Sequence, residues 1–306
     1  MAPPLCDPEN YQDAIFAFYR FAPSVGANII FVILFGLSTL LHTFQMWKTK
    51  TWYLWPLVVG GACEAVGYIG RAVNAHEDEG CWTIAPYVIQ NLLILLGPAF
   101  MAASIYMILG RIILLTAGEH LALVKRKWLT KIFVWGDVLS LMTQSTGGSI
   151  MVAEDLWQTG EKVIIAGLFI QLFIFSCFLI IATNYHYRLA RLPTPESTNP
   201  NVRWKWYLFT LYLTGGLILV RSLFRVVEFI EGNHGPLMRK EVYIFIFDGL
   251  PMVIVLLWMN WFHPGEIGLL LRNEVPITNG LQLMKIPGYQ GQKRCNTMES
   301  LVSNYQ

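Results

Sequence analysis

The run from Leu217 to Glu231, LILVRSLFRVVEFIE, places Arg221, Arg225 and Glu228 inside an otherwise apolar segment. At 3.6 residues per turn, positions spaced i, i+4 and i+7 share one helix face. A charge near the centre of a bilayer costs ~2.5–3.5 kcal/mol, so three without partners would cost ~8–10 kcal/mol. Such groups suit charge pairing in a dry interior, or the holding of an ionised headgroup there. Acidic partners occur in other apolar segments, at Glu64, Asp137 and Asp248. Arg71 follows Glu64 by seven residues on the same predicted face, and Gln90 and Asn91 add polar groups at a similar depth. Two readings stand: an outward-facing polar cavity for an amphipathic solute, or an ion-pair network that locks a bundle.

Only membrane-spanning helices can position these side chains. The 306 residues are 55% hydrophobic and 14% charged, with a mean hydropathy of +0.47, whereas a soluble domain carries about 25% charged residues. Apolar stretches long enough to cross a ~30 Å core fall at 24–46, 53–73, 85–110, 131–153, 163–185, 206–230 and 242–262. The expected fold is therefore an all-α polytopic bundle of seven transmembrane helices. Residues 1–23 form an N-terminal segment, 24–263 the membrane domain and 264–306 a mostly disordered tail, with an amphipathic piece near Ile267 to Leu271. The first 22 residues hold prolines and acids before any apolar run, so the first helix is expected to lead insertion without a signal peptide.

Orientation follows from Lys and Arg. They crowd the loops after helices 1 (Lys48, Lys50), 3 (Lys125, Arg126, Lys127, Lys131) and 5 (Arg188, Arg191, Arg203, Lys205), and the tail. The other side offers Arg20, Lys162, Arg239 and Lys240 against the acidic run Glu77-Asp78-Glu79. The positive-inside rule puts the N-terminus in the extracytosolic space and the C-terminus in the cytosol. Helices 2, 3, 6 and 7 then bring their polar groups to the outer half. Trp52, Trp55, Trp82, Trp128, Trp204, Trp206 and Trp261 fall near predicted helix ends, as an aromatic belt does. The Pro-, Ser- and Thr-rich LARLPTPESTNPN loop reads as a flexible linker.

Helix 4 has a second stripe, Asp137, Ser140, Gln144, Gly147 and Gly148, read as a close-packing face or as an inner polar relay. Pro56, Pro98 and Pro251 predict kinks in helices 2, 3 and 7. His42, His186 and His263 sit at predicted cytosolic helix ends. Ser38-x-x-x-His42 matches one element of intramembrane zinc hydrolases, but the paired histidines those enzymes carry on the last helix are missing, and no metal site is expected. The five cysteines form no C-x-x-C. Cys6 and Cys81 are both predicted extracytosolic, where a disulfide persists. A net charge of +2 without a basic-aromatic run points away from nucleic acid, and no nucleotide motif implies a cofactor.

The motifs APSVGANIIFVILFGLSTLLH, EAVGYIGR, PYVIQNLLILLGPAFMAASIYMILGRII, GDVLSLMTQSTGGSIM, RSLFRVVEFIEGNHGPL, EVYIFIFDGLPM and NWFHPGE, in that order between Pro23 and Pro264, resemble those of the fungal RTA-like proteins, or lipid-translocating exporters. The resemblance implies a multi-pass protein of fungal membranes, the plasma membrane being favoured over internal ones. It implies export or flipping of sphingoid long-chain bases and resistance to toxic amphiphiles, one branch being tied to porphyrin and haem traffic. The family motifs match at Glu64, Arg71, Gln90, Asp137, Gln144, Arg221, Arg225, Glu228 and Asp248, and imply no catalytic residues. A third glycine frequent in the family is Ser149 here. The expected function is thus a non-enzymatic translocator of cationic amphiphiles, its partners membrane lipids and an amphipathic small molecule, with the oligomeric state open. A seven-helix sensor acting indirectly on lipids is the alternative.

A protease-cleavable epitope at the C-terminus tests the orientation. In sealed cells it should resist external protease and be cut only after permeabilisation.

Overall fold

The computed structural model describes residues 19–151, 156–200, 202–232, 235–272, 274 and 279–282. Cys6, most of the expected N-terminal segment and residues 283–306 of the expected tail lie outside the described residues. The described chain is an all-α bundle. Helix α1 is Val25–Thr49, α2 Trp55–Asn74, α3 Ile84–Leu115, α4 Arg126–Ile150, α5 Trp157–Arg191 and α6 Trp204–Glu231. The seventh, α7, is composite: an opening turn Glu241–Ile244, a wide π turn Phe245–Gly249 and an α segment Leu250–Trp261. A short helix α8, Gly265–Leu271, follows. Four described helical stretches are apolar and long enough to cross a membrane by composition alone, those beginning at Val25, Ile84, Gln158 and Glu241. The others carry the charges and glycines singled out above.

Local chemistry explains where helices begin and bend. The Ser24 hydroxyl caps α1 by accepting from the Ala27 N–H. Pro56 falls in the first turn of α2 rather than its interior, where the missing N–H costs no helical bond, so the kink expected there does not arise. Pro98 is inside α3 and removes the N–H that would have bonded the Ile94 carbonyl. Pro251 stands two residues after the π turn of α7, and the wider turn accommodates a ring that would otherwise press on the preceding turn.

The bundle closes on itself. Helix α2 packs between α1 and α3, α4 along α5, and α6 against α5, α3 and α7, while α7 returns to α1. Helix α3 forms the axis, with Met101, Ile105, Tyr106, Leu109 and Ile112 wholly buried. Small residues set the spacing of two seams. A Cβ on Gly60 would lie 2.7 Å from the Gly97 carbonyl oxygen across α2 and α3. One on Gly147 would lie 2.7 Å from the Gly160 carbonyl oxygen across α4 and α5. Gly148 has nothing within 4 Å of such a Cβ, so of the two glycines expected to bring helices together only Gly147 does so.

One stretch is more ordered than its composition implies, and the amphipathic piece expected in the tail is a helix. In the loop after α5, Thr194 and Ser197 are buried. The Thr194 hydroxyl donates to the Thr116 carbonyl at 2.5 Å, and the Trp204 indole N–H donates to the Ser197 carbonyl at 3.0 Å. Its Ser and Thr side chains thus turn the chain and tie it to the bundle, instead of leaving it a free linker. The tail's α8 packs against α1 and α3, with Ile267 and Leu269 wholly buried and Glu266 accepting from Arg203 at 2.8 Å.

A methyl group at the tighter seam should be felt. Gly147→Ala is expected to destabilise the protein by about 1–3 kcal/mol, the usual cost of overpacking, while Gly148→Ala leaves thermal unfolding in detergent unchanged.

Candidate functional site

Helices α2, α3, α6 and α7 converge in the half of the bundle that holds Arg71, and their charges meet there. Arg221 on α6 lies 2.7 Å (Nε to Oδ1) from Asp248 in the π turn. The contact is a close charge pair rather than an aligned hydrogen bond, since neither atom has a hydrogen-bond partner. The hydrogen bond of Arg221 goes elsewhere: Nη2 donates to the Ile94 carbonyl at 2.7 Å. That carbonyl is the one Pro98 leaves without its helical donor. One arginine therefore neutralises a carboxylate and satisfies a broken backbone turn. Both sides of the pair are at most 3% exposed.

One turn further along α6, Arg225 Nη1 donates to Glu228 Oε2 at 2.8 Å. Beyond it, Arg71 Nη2 donates to Glu241 Oε1 at 3.3 Å, and Glu241 Oε2 accepts from the Ser24 backbone N–H at 2.8 Å. Aromatic rings close this end. The Arg71 guanidinium lies 5.4–5.8 Å from the ring centroids of Tyr19, Phe21 and Phe245, and Tyr19 packs edge-on against Trp82 at 5.0 Å. Next to Trp82, Cys81 is disulfide-bonded.

Glu64 differs from the other acids. It is 1% exposed, it lies against Gly97 of α3, and neither carboxyl oxygen has a hydrogen-bond partner among the described residues. The charges that act on it are those of Arg221, Asp248 and Arg225. Tyr68, one helical turn along α2 and stacked on Phe31 at 5.0 Å, lies within electrostatic reach of both Glu64 and Asp248.

Not every expected residue joins this cluster. Gln90 is buried, but it faces the aromatic cap, beside Tyr19 and Gly70. Asn91 is exposed and pairs with Tyr87 one turn away. Asp137 meets no arginine among the described ion pairs. Its Oδ2 accepts from the Tyr106 hydroxyl at 2.9 Å in the opposite half of the bundle. Ser140 donates to the Asp137 backbone carbonyl at 2.8 Å, and Gln144 donates to Gln171 of α5 at 3.2 Å, so the helix-4 stripe lies on a packing face. His42 and His263 approach with ring centroids 6.0 Å apart, whereas His186 stacks on Tyr212. The open cavity also takes a different form. Arg221, Glu228 and Asp248 are 2–4% exposed, so the cluster is sealed from solvent in this conformation.

Sequence reasoning missed Glu241, because an acid in the first turn of a helix reads as an end signal. Its spacing of seven from Asp248 was the available clue. Tyr68, four residues after Glu64, carried a similar one. Nothing in the sequence pointed to Tyr106 or Gln171 as partners of the α4 stripe.

Comparison with known proteins gives the context of this arrangement. A family model described as RTA1 like protein matches residues 57–269. Protein RTM1 of Saccharomyces cerevisiae is 35% identical over 276 residues, covering 77% of this chain and 88% of its own length. Protoporphyrin uptake protein 1 of the same species is 32% identical over 280 residues, covering 80% of this chain and 91% of its own. Sphingoid long-chain base transporter RSB1, also from that yeast, is 24% identical over 293 residues, covering 84% and 76%. No solved structure matches.

Removing one partner of a buried pair strands the other, at a cost of about 3–5 kcal/mol. Asp248→Leu should lower thermal stability by that order, and Arg221→Met with Asp248→Leu should recover a large part of it. Equal losses in the single and double variants would show that the pair is not coupled.

Proposed function

Taking as premise that the chain belongs to the RTA1 like protein family, we propose that it is a membrane transporter of amphipathic small molecules whose substrate is a cationic amphiphile of the sphingoid long-chain-base class. The observation that carries this reading is Glu64. The guanidinium groups of Arg71, Arg221 and Arg225 meet the carboxyl groups of Glu64, Glu228, Glu241 and Asp248 in one buried cluster. Arg71, Arg221 and Arg225 are matched by Glu241, Asp248 and Glu228, and Glu64 is the carboxyl left over. An ammonium headgroup supplies the missing cation and the missing hydrogen bonds together. The sealed cluster with its aromatic cap is then the occluded conformation of a translocator, and the Tyr19 and Trp82 edge is what must part for entry.

The step is binding and release, with no bond of the substrate made or broken. Arg221 and Arg225 act as competing cations that let the carboxylates go once the headgroup has crossed. The positive-inside asymmetry supports a cap facing outward and a tail in the cytosol. The sphingoid long-chain base transporter among the relatives supports this substrate class. The higher identity to the protoporphyrin uptake protein favours a second substrate, a porphyrin, whose carboxylates would engage the arginines instead of Glu64.

Purified protein in liposomes should exchange a fluorescent sphingoid base between leaflets. Glu64→Gln should slow exchange by about ten- to a hundredfold, the loss of one hydrogen bond to a charged group at about 1.5–3 kcal/mol, with thermal unfolding preserved. Wild-type exchange in this variant would defeat the proposal. Transport of a porphyrin alone, insensitive to Glu64→Gln, would select the second substrate.

A further inference from the structure

At the opposite end of the bundle, the turn between α1 and α2, the last turns of α3 and the end of α8 enclose an open cavity of about 570 Å³. Its polar lining is cationic: Lys50, Arg111 and Arg272. Arg272 is anchored, with Nη2 donating to the Thr49 carbonyl at 2.6 Å and Nε to Glu274 at 2.9 Å. Arg111 has no acidic partner among the described ion pairs. Its guanidinium carbon sits 4.7 Å from the centroid of the Tyr53 ring, which fixes it as a cation–π pair. The charges of Arg111 and Arg272 both act on the Tyr53 hydroxyl. Both guanidiniums therefore bear on the same ring.

Lys50 adds a backbone observation. It ends α1 in the left-handed region, at φ 52° and ψ 36°, a conformation that disfavours side chains other than glycine or asparagine. The strained residue is a lysine at the rim of a basic cavity, although glycine would terminate the helix with less strain. The remaining lining is apolar. Leu114 and Leu271 continue from the cavity toward the lipid-facing surface, and Trp52 and Trp55 are more than half exposed beside it, at the height where indoles mark the membrane–water boundary.

We infer that this cavity binds the phosphodiester headgroup of an anionic phospholipid. The phosphate lies among Lys50, Arg111 and Arg272, and the acyl chains run over Leu114 along α3. Lys50 and Arg111, neither of them in a described ion pair, supply the positive charge, and Arg272, held by Glu274, supplies further N–H donors; with an apolar exit they match a phosphate that carries tails. A headgroup with no net negative charge would bind the basic cavity less well. The site is separate from the carboxyl-rich cluster at the other end and does not depend on what that cluster transports.

Native mass spectrometry of the full chain in detergent, titrated with phosphatidylserine or phosphatidylcholine, tests the inference. Wild type should hold one phosphatidylserine at least tenfold more tightly than phosphatidylcholine. Arg111→Gln should reduce that preference about tenfold, one charge-assisted contact at about 1.4 kcal/mol. Lys50→Gly is the decisive companion, because it relieves the left-handed strain while removing a cation. It should unfold at the same or a higher temperature than wild type and still bind phosphatidylserine more weakly. Unchanged phosphatidylserine binding in Lys50→Gly and Arg111→Gln would overturn the proposal. Displacement of the lipid by millimolar inorganic phosphate would overturn it as well, by reassigning the cavity to a free oxyanion.

Discussion

An arginine inside hydrocarbon must be satisfied on every side, and in this protein that requirement organises four helices. Arg221 reaches Asp248 on α7 for charge and the Ile94 carbonyl on α3 for a hydrogen bond. The carbonyl is available only because Pro98 removed its helical donor, and α2 comes close to that stretch of α3 because residues such as Gly60 and Gly97 have no side chain to keep it away. Proline, arginine, aspartate and glycine are each unfavourable in the middle of a membrane helix when considered singly. Here each answers a need created by another. The same closeness of α2 to α3 lays the Glu64 side chain against Gly97.

The result is a bundle with two chemically different ends. One end gathers Glu64, Glu228, Glu241 and Asp248 with three arginines under an aromatic cap, and the other gathers Lys50, Arg111 and the Glu274-paired Arg272 around the turn after α1. Between them α3 provides a mainly apolar axis, on which Tyr106 holds Asp137. A molecule with a positive head and an apolar tail finds its complement at the first end, while the lipid phosphates of the membrane find theirs at the second.

Much of this was legible in the residues. Each of the seven expected stretches overlaps one long helix, α5 running six residues beyond its expected limits at both ends, because a hydrocarbon core allows only closed hydrogen bonding and so imposes length on the sequence. That Glu64 and Asp248 would lie at the depth of the helix-6 arginines was legible, because periodicity assigns a face and depth follows from counting along each helix; which acid pairs with Arg221 was not. Periodicity does not say which neighbour a face meets, and for that reason Asp137 was grouped with the arginines when it bonds Tyr106, and exposed Asn91 with buried Gln90. Composition also misled where polar residues turn inward. The loop containing Thr194 and Ser197 looked like a linker, yet its hydroxyls satisfy backbone groups on the bundle. Glu241 stayed hidden because it stands at a helix boundary.

The π turn of α7 has a mechanical consequence. It holds one residue more than an α turn would, so the two parts of α7 are set about 100° out of phase with an unbroken helix. Asp248 sits within that surplus, and Glu241 lies on its far side. If the turn tightened to ordinary α geometry, Glu241 would swing away from Arg71 as though a gear had slipped one tooth, while the Leu250–Trp261 segment stayed seated against α1 and α6. The contact of Glu241 with Arg71 beneath the cap is thus tied to the pitch of a single helical turn.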